Sequence, residues 1–203
     1  MKRTFALLIC VSMIFTVCAF AAAIEPEGHW AKPAIDYAVD KGYLNGVVDG
    51  VILADKPMTR AEFVAVLVRV LDLPRFESNP FEDVNAGDWH NWDVSTAYRA
   101  GVITGTSETT FSPGALVTRE EAVTILQRGW KVSRTSYTKK AFADQADISA
   151  WALDSVKMMH ESMFIKGDPN NNFNPKSTVT FGEALQIIYN KQYIVSEAFK
   201  GLR

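Results

Sequence analysis

The 203-residue sequence predicts an all-α, mainly helical fold: three helix-loop-helix repeats packed into one domain. Three observations carry this reading. One register recurs three times, each copy has apolar spacing that suits helices, and a helix-start signature returns at the same place in each. Anchored on Trp30, Trp89 and Trp151, the segments align without a gap through Glu62, Glu121 and Glu183, with periods of 59 and 62 residues.

Taking the elements in order, residues 1–23 read as a leader. Lys2 and Arg3 precede an apolar run from Phe5 to Phe20, and Ala19-Phe20-Ala21 or Ala21-Ala22-Ala23 supplies a small-residue cleavage site. The uncharged stretch from Thr4 to Ile24 is also long enough to span a bilayer. The cleavage site favours removal, which leaves no transmembrane anchor. Val17 before Cys18 fits poorly where a lipoprotein signal places a small residue. Cleavage removes Cys10 and Cys18, the only two cysteines, together with Lys2 and Arg3, so 19 of the 21 basic residues remain against 23 acidic ones, a net −4. The expected product is an exported, cysteine-free, mildly acidic domain.

Repeat 1 is assigned to residues 24–73, repeat 2 to 81–133, repeat 3 to 142–195, and a short tail to 196–203. In each repeat, apolar residues near offsets zero, five, eight and twelve from the Trp predict a first helix (Trp30, Ile35, Ala38 in repeat 1). Gly46, Gly105 and Gly167 then open a turn, as in Gly105-Thr106-Ser107 and Asp168-Pro169-Asn170-Asn171-Asn172. An extended piece carries Ile52, Phe111 or Phe173. The second helix starts at Thr59, Thr118 or Thr180 and buries a stripe such as Phe63, Val66, Leu67 and Val70. A helix pair buries little alone, so the three units should pack together. The connectors Leu73–Pro80 and Val132–Lys140 read as exposed linkers.

Thr59-Arg60-Ala61-Glu62, Thr118-Arg119-Glu120-Glu121 and Thr180-Phe181-Gly182-Glu183 share the form T-x-x-E. This is a capping box, which explains Thr59, Glu62, Thr118, Glu121, Thr180 and Glu183 without chemistry. It does not explain Arg60 and Arg119, because a cation in the first turn opposes the helix dipole. Exposed amides, the dipole and a guanidinium would together suit an anionic group such as a carboxylate. Pairing with a neighbouring acid is the alternative.

The net charge of −2 and a pI near 5.9 argue against a nucleic-acid partner. Two cysteines make neither a disulfide scaffold nor a four-thiolate zinc site. His29, His90 and His160 share no repeat column and no metal spacing, the Asp168–Asn174 loop lacks calcium-loop landmarks, and no catalytic or cofactor fingerprint is present. No metal, cofactor or catalytic residue is expected. Trp30, Trp89 and Trp151 read first as core anchors with part of each ring reaching a groove, and stacking on sugar is the functional alternative. Gly46, Gly105 and Gly167 serve φ > 0 or a tight turn, with backbone approach to ligand as the alternative. Lys131, Arg134, Lys139 and Lys140 form a modest basic linker.

The pattern Trp30…Gly42…Gly46…Met58-Thr59-Arg60-Ala61-Glu62-Phe63 resembles the S-layer homology repeat. So does Trp89…Gly101…Gly105…Phe111-Ser112-Pro113…Thr118-Arg119-Glu120-Glu121, and the leading elements Phe81-Glu82-Asp83 and Phe142-Ala143-Asp144 add to the likeness. The resemblance covers nearly the whole chain after the leader. It implies a pseudo-threefold bundle that holds exported proteins on the cell wall or S-layer. Inter-repeat grooves would bind secondary cell-wall polysaccharide, often pyruvylated, through Arg60 and Arg119. Trp30, Trp89, Trp151, Gly46, Gly105, Asp83 and Asp144 join them as candidate glycan contacts. Peptidoglycan and an S-layer or envelope protein are further implied partners. Phe181 stands in the third arginine position, which predicts at most two anion-competent grooves. Repeat 1 lacks the leading element, with Ala22 in its place and Glu25 or Glu27 as substitutes. The rival functions are an envelope scaffold that binds proteins and a cell-wall hydrolase using a pair such as Glu120 and Glu121.

Overall fold

The computed structural model describes residues 28–44, 54–136 and 139–200, with side chains to 196. The leader, Gly46, Ile52 and the Ala22, Glu25 and Glu27 assignments lie outside the described residues. Six α-helices run in chain order: α1 (Lys32–Asp40), α2 (Arg60–Val70), α3 (Asn91–Arg99), α4 (Arg119–Trp130), α5 (Ala150–Glu161) and α6 (Phe181–Lys200). The described residues contain isolated β-bridges but no sheet. The all-α reading holds.

The second helix of each repeat starts where the capping box requires. Thr59 Oγ1 accepts from the Glu62 amide while Glu62 Oε2 accepts from the Thr59 amide, and Thr118/Glu121 and Thr180/Glu183 repeat the exchange. The first helices stop in a Schellman turn. In α3 the Gly101 amide bonds the Tyr98 carbonyl and the Val102 amide bonds that of Ala97. Gly42, Gly101 and Met163 hold the left-handed position of this turn at φ 70°, 70° and 64°. Offset twelve is therefore a cap and not part of the helix stripe. The tail also differs from expectation, because α6 continues through it to Lys200.

The helices of one repeat do not pair with each other. The main helix packings are α2 on α3, α4 on α5 and α6 on α1, so each second helix packs on the first helix of the next repeat and the last closes on the first. Tyr37 on α1 meets Tyr189 on α6 edge-to-face at 5.5 Å across that closure. A ring of backbone bonds locks the centre: Met58 N–H to Val179 O (2.9 Å), Val179 N–H to Val117 O (3.0 Å), and Val117 N–H to Met58 O (3.1 Å). These three side chains are fully buried. The ring gives the three repeats their pseudo-threefold relation. Phe63, Phe111, Phe173 and Phe181 fill the core around it, each burial stabilising by about 1.5–3 kcal/mol.

Candidate functional site

The amides at the start of each second helix are not open to a ligand. On α2 the Arg60 N–H bonds Ala115 O (2.8 Å), the Ala61 N–H bonds Pro113 O (3.1 Å), and Glu62 N–H takes Thr59 Oγ1. On α4, Ser177 O and Pro175 O take the Arg119 and Glu120 amides in the same way. The extended piece of the next repeat thus satisfies the orphan donors. This corrects the expected amide-lined anion site, and any anion must be met by side chains.

The arginines also connect repeats. Arg60 is 5% exposed; its Nε donates to Phe111 O (2.9 Å), its Nη1 reaches Glu121 Oε1 (2.8 Å), and the guanidinium lies 4.9 Å over the Phe111 ring. Arg119 repeats this more loosely, with Nη2 to Lys166 O at 3.3 Å, Nη1 to Glu183 Oε1 at 3.6 Å, and the Phe173 ring at 5.4 Å. Glu121 and Glu183 therefore each have two tasks. One oxygen caps its own helix and the other meets the arginine of the preceding repeat. Burial pushes both arginine pKa values down, while Glu121 and Asp83 act upward on Arg60, and Glu183 and Asp144 on Arg119. Both side chains stay charged. Arg60 Nη2 has no protein partner among the described residues, and Arg119 Nε is buried with none.

Each arginine opens into a groove. Arg60, Glu121, Arg128 and the Ile103–Thr106 turn line a cavity of about 430 Å³, and its far wall is Trp151 from the third repeat. Arg119, Glu183, Lys166 and Ile165 line a second of about 260 Å³ walled by Trp30, which adjoins a lobe of about 200 Å³ reaching Gly167. The two linings correspond in register at Arg60/Arg119, Ile103/Ile165, Glu121/Glu183 and Trp151/Trp30, differ at Thr104/Lys166 and Arg128/Asn190, and both contain residues of all three repeats. Trp30, Trp89 and Trp151 are 54%, 52% and 55% exposed. They are not core anchors, because α1 and α3 begin two residues after their Trp and the stripe never includes it.

The third arginine slot also departs from expectation. The Phe181 ring is buried, and Lys56 Nζ sits 5.5 Å over it and 2.9 Å from Glu62 Oε1. Lys56 therefore makes the contact to Glu62 that Arg60 makes to Glu121. The slot has a cation after all, from a residue whose repeat counterparts are Ala115 and Ser177. Gly182 follows Phe181 because its Cα lies against Ala31 and Ala54, where an added Cβ would stand 2.9 Å from the Ala31 Cβ.

Asp83 and Asp144 face the backbone instead of a groove. Asp83 accepts the Phe111 and Ser112 amides (2.8 and 2.7 Å), and Asp144 accepts those of Phe173 and Asn174 (2.7 and 2.6 Å). Each carboxylate oxygen takes one amide, which fixes the extended pieces. Gly105 is required by shape: φ is +80°, and a Cβ would stand 2.5 Å from Phe81 Cε1 and 2.6 Å from Ser107 O. Asp168 closes its own loop by accepting from the Asn170 and Asn172 amides, as expected of a turn.

Glu120 and Glu121 form no acid pair. Glu120 is buried and held by Ser149 and Lys176, while Glu121 is divided between its cap and Arg60. The described residues hold no cluster of metal-ligating side chains and no helix long and apolar enough to cross a membrane. Of the basic linker, Arg134 pairs with Asp154 and borders with Lys139 a separate cavity of about 350 Å³ over α5.

The profile of the S-layer homology domain matches residues 27–64, 80–123 and 141–185. An amylopullulanase of Thermoanaerobacterium thermosulfurigenes is 34% identical over 80% of this chain and 9% of its own length. An S-layer protein of Bacillus anthracis is 30% identical over 80% of the chain and 20% of its own. A cellulosome-anchoring protein of Acetivibrio thermocellus is 29% identical over 64% and 30%. The chain thus spans less than a third of each of these relatives. With a matching profile, three repeats in register and a closed pseudo-threefold ring, the chain belongs to the S-layer homology domain family.

Proposed function

We propose that the chain is a non-catalytic anchoring module that binds acidic, pyruvylated secondary cell-wall polysaccharide through its inter-repeat grooves at the cell surface. One observation carries this reading: two grooves that correspond in register each set an arginine opposite a half-exposed tryptophan from another repeat. The indole offers a flat apolar face to a sugar ring. The guanidinium, with Arg128 in one groove and Lys166 in the other, supplies charge to a ketal carboxylate. The occurrence of the module in an S-layer protein and a cellulosome-anchoring protein supports attachment to the envelope. The apolar leader with its small-residue cleavage site supports export. Two weak sites in one rigid domain gain avidity on a repeating polymer.

Sedimentation with purified cell walls tests the proposal. Walls that carry the acidic polysaccharide should retain the chain, and walls stripped of it should not. Equal retention on both would transfer the assignment to peptidoglycan.

A further inference from the structure

We infer that the cavity over α5 is a separate anion-binding site, which takes the carboxylate or phosphate of an acidic sugar. It lies within repeat 3 and the connector before it, and it shares no lining residue with the two arginine grooves. It therefore stands or falls apart from the proposed function.

The cavity arises because two connectors that begin alike end differently. Register pairs Arg75 with Arg134 and Trp92 with Asp154. Arg75 lies 4.5 Å over the Trp92 ring, and Arg134 Nη2 donates to Asp154 Oδ1 at 2.6 Å, so each connector is first pinned to the same point of the following helix. The connector before repeat 2 then lies down on α3. Phe76 N–H donates to Thr96 Oγ1 (3.0 Å), and Asn79 Nδ2 donates to Asn91 Oδ1 (3.2 Å) and Ser95 Oγ (2.9 Å). The positions of these three acceptors on α5 hold Leu153, Lys157 and Met158, none of which has a side-chain oxygen. Seven residues separate Arg134 from Phe142, against five between Arg75 and Phe81. The longer connector, without those anchors, leaves a cavity of about 350 Å³ over α5, a size typical of small-ligand pockets.

The lining suits one chemistry. Its floor is apolar and made by the buried Phe142, Ile148 and Val156. Its rim carries Arg134, Lys139 and Lys157 against a single acid, Glu161, in a chain whose net charge is −2. Lys139 and Lys157 are partly buried, and neither has a hydrogen bond or ion pair among the described residues. Holding two such ammonium groups without counter-ions opposes folding, and a bound anion removes that cost. His160 lies flat on Phe142 at 4.1 Å, and neither of its ring nitrogens is hydrogen-bonded among the described residues. It shares the cavity with Lys139 and Arg134 from the connector and with Lys157 and Glu161 from α5. Burial and Lys139 push its pKa below 6.5, while Glu161 acts upward. A neutral imidazole offers the ligand one donor, and on protonation it becomes a further cation. A sugar that bears an anionic group meets each of these features, with its ring on the apolar floor and its charge toward the rim.

The test is a titration of the whole chain with glucuronate, N-acetylglucosamine 6-phosphate, inorganic phosphate and neutral glucose, following the histidine ring and indole N–H signals by NMR. His160 reports the cavity, His90 is the control, and Trp30 and Trp151 report the arginine grooves. The inference predicts saturable shifts at His160 with glucuronate and the sugar phosphate, and none with glucose. Bound glucuronate should raise the His160 pKa, because the anion favours the imidazolium, and each unit of that rise is about tenfold tighter binding to the protonated form. Lys139→Gln/Lys157→Gln should weaken binding by about tenfold. Lys140→Gln, which removes an exposed charge outside the cavity, should leave it unchanged. A His160 signal that neither acidic sugar moves would overturn the site, as would shifts that the double variant retains in full or that Lys140→Gln reduces equally. Inorganic phosphate binding as tightly as the sugars would overturn the sugar and leave a free oxyanion as the ligand. Shifts at Trp30 and Trp151 with His160 unmoved would overturn this site and leave the groove reading standing, and the reverse would support this site independently of the grooves.

Discussion

Repeats 2 and 3 follow one register, yet the grooves they shape differ in tightness. In the groove built on the repeat-2 turn, Arg60 is held by a carbonyl at 2.9 Å and a carboxylate at 2.8 Å. In the groove built on the repeat-3 turn, the same slot holds Arg119 with its nearest contacts at 3.3 and 3.6 Å and a buried Nε left unpartnered. Arg60 is thus largely a latch between repeats that offers one edge to a ligand. Arg119 keeps more donors to give. One motif residue therefore divides its role between fold and binding, and the balance is set by how closely the next repeat approaches.

The largest expected effect tests the turns themselves. Gly105→Ala forces a Cβ against two carbonyls at a positive φ and should cost more than ~3 kcal/mol. Gly167→Ala meets only contacts at 3.1 Å and should cost about 1 kcal/mol. Urea unfolding measures both, and equal costs would remove the difference in tightness. Next come the arginines. Arg60→Ala removes a buried partner from Glu121 and should destabilise by about 2–3 kcal/mol, while Arg119→Ala should cost about 1 kcal/mol. The same unfolding curves decide it, and the reverse order would contradict the latch.

Acid separates the repeats further. His90, buried just before α3, makes no hydrogen bond through either ring nitrogen, its Nε2 lies 3.9 Å from Asp88 Oδ2, and burial lowers its pKa from 6.5 despite Asp88, Asp83 and Asp93. Its repeat-3 counterpart is Ala152. A depressed folded pKa means that stability is full above the unfolded value of 6.5 and falls as the pH drops toward and through the folded one. Melting temperatures across that window should decline in the parent chain. They should decline less in His90→Phe, with the residual slope from His160, which burial and Lys139 also depress. The smallest effect is at Met163, a non-glycine residue at φ 64° where repeats 1 and 2 use glycine. Met163→Gly should stabilise by about 0.5 kcal/mol, since relief of the left-handed strain exceeds the added freedom of the unfolded chain.

Much of the fold was legible because it is local. The Thr59, Thr118 and Thr180 capping boxes, the turn glycines and the apolar stripes each depend on residues a few positions apart. The exchange of helix partners between repeats was not legible, because spacing within a unit carries no record of which neighbour covers it. The same reason hid the saturation of the Arg60 and Arg119 amides by Ala115, Pro113, Ser177 and Pro175. Trp30, Trp89 and Trp151 misled as hydrophobic residues near the start of an apolar period, whereas the stripe begins after them. Lys56 had a signal, being the one charged residue in a column with Ala115 and Ser177. Its meaning appeared only when that column met Phe181 across the closure of the ring.

The central claim, that the arginine grooves recognise an acidic sugar, is tested most directly by calorimetric titration of the chain with wall polysaccharide before and after removal of its pyruvate ketals. The account predicts binding that is lost on removal, and a loss of similar size in an Arg60→Ala/Arg119→Ala double variant shown by circular dichroism to be folded. Undiminished binding by that variant, or equal affinity for the ketal-free polymer, would contradict it.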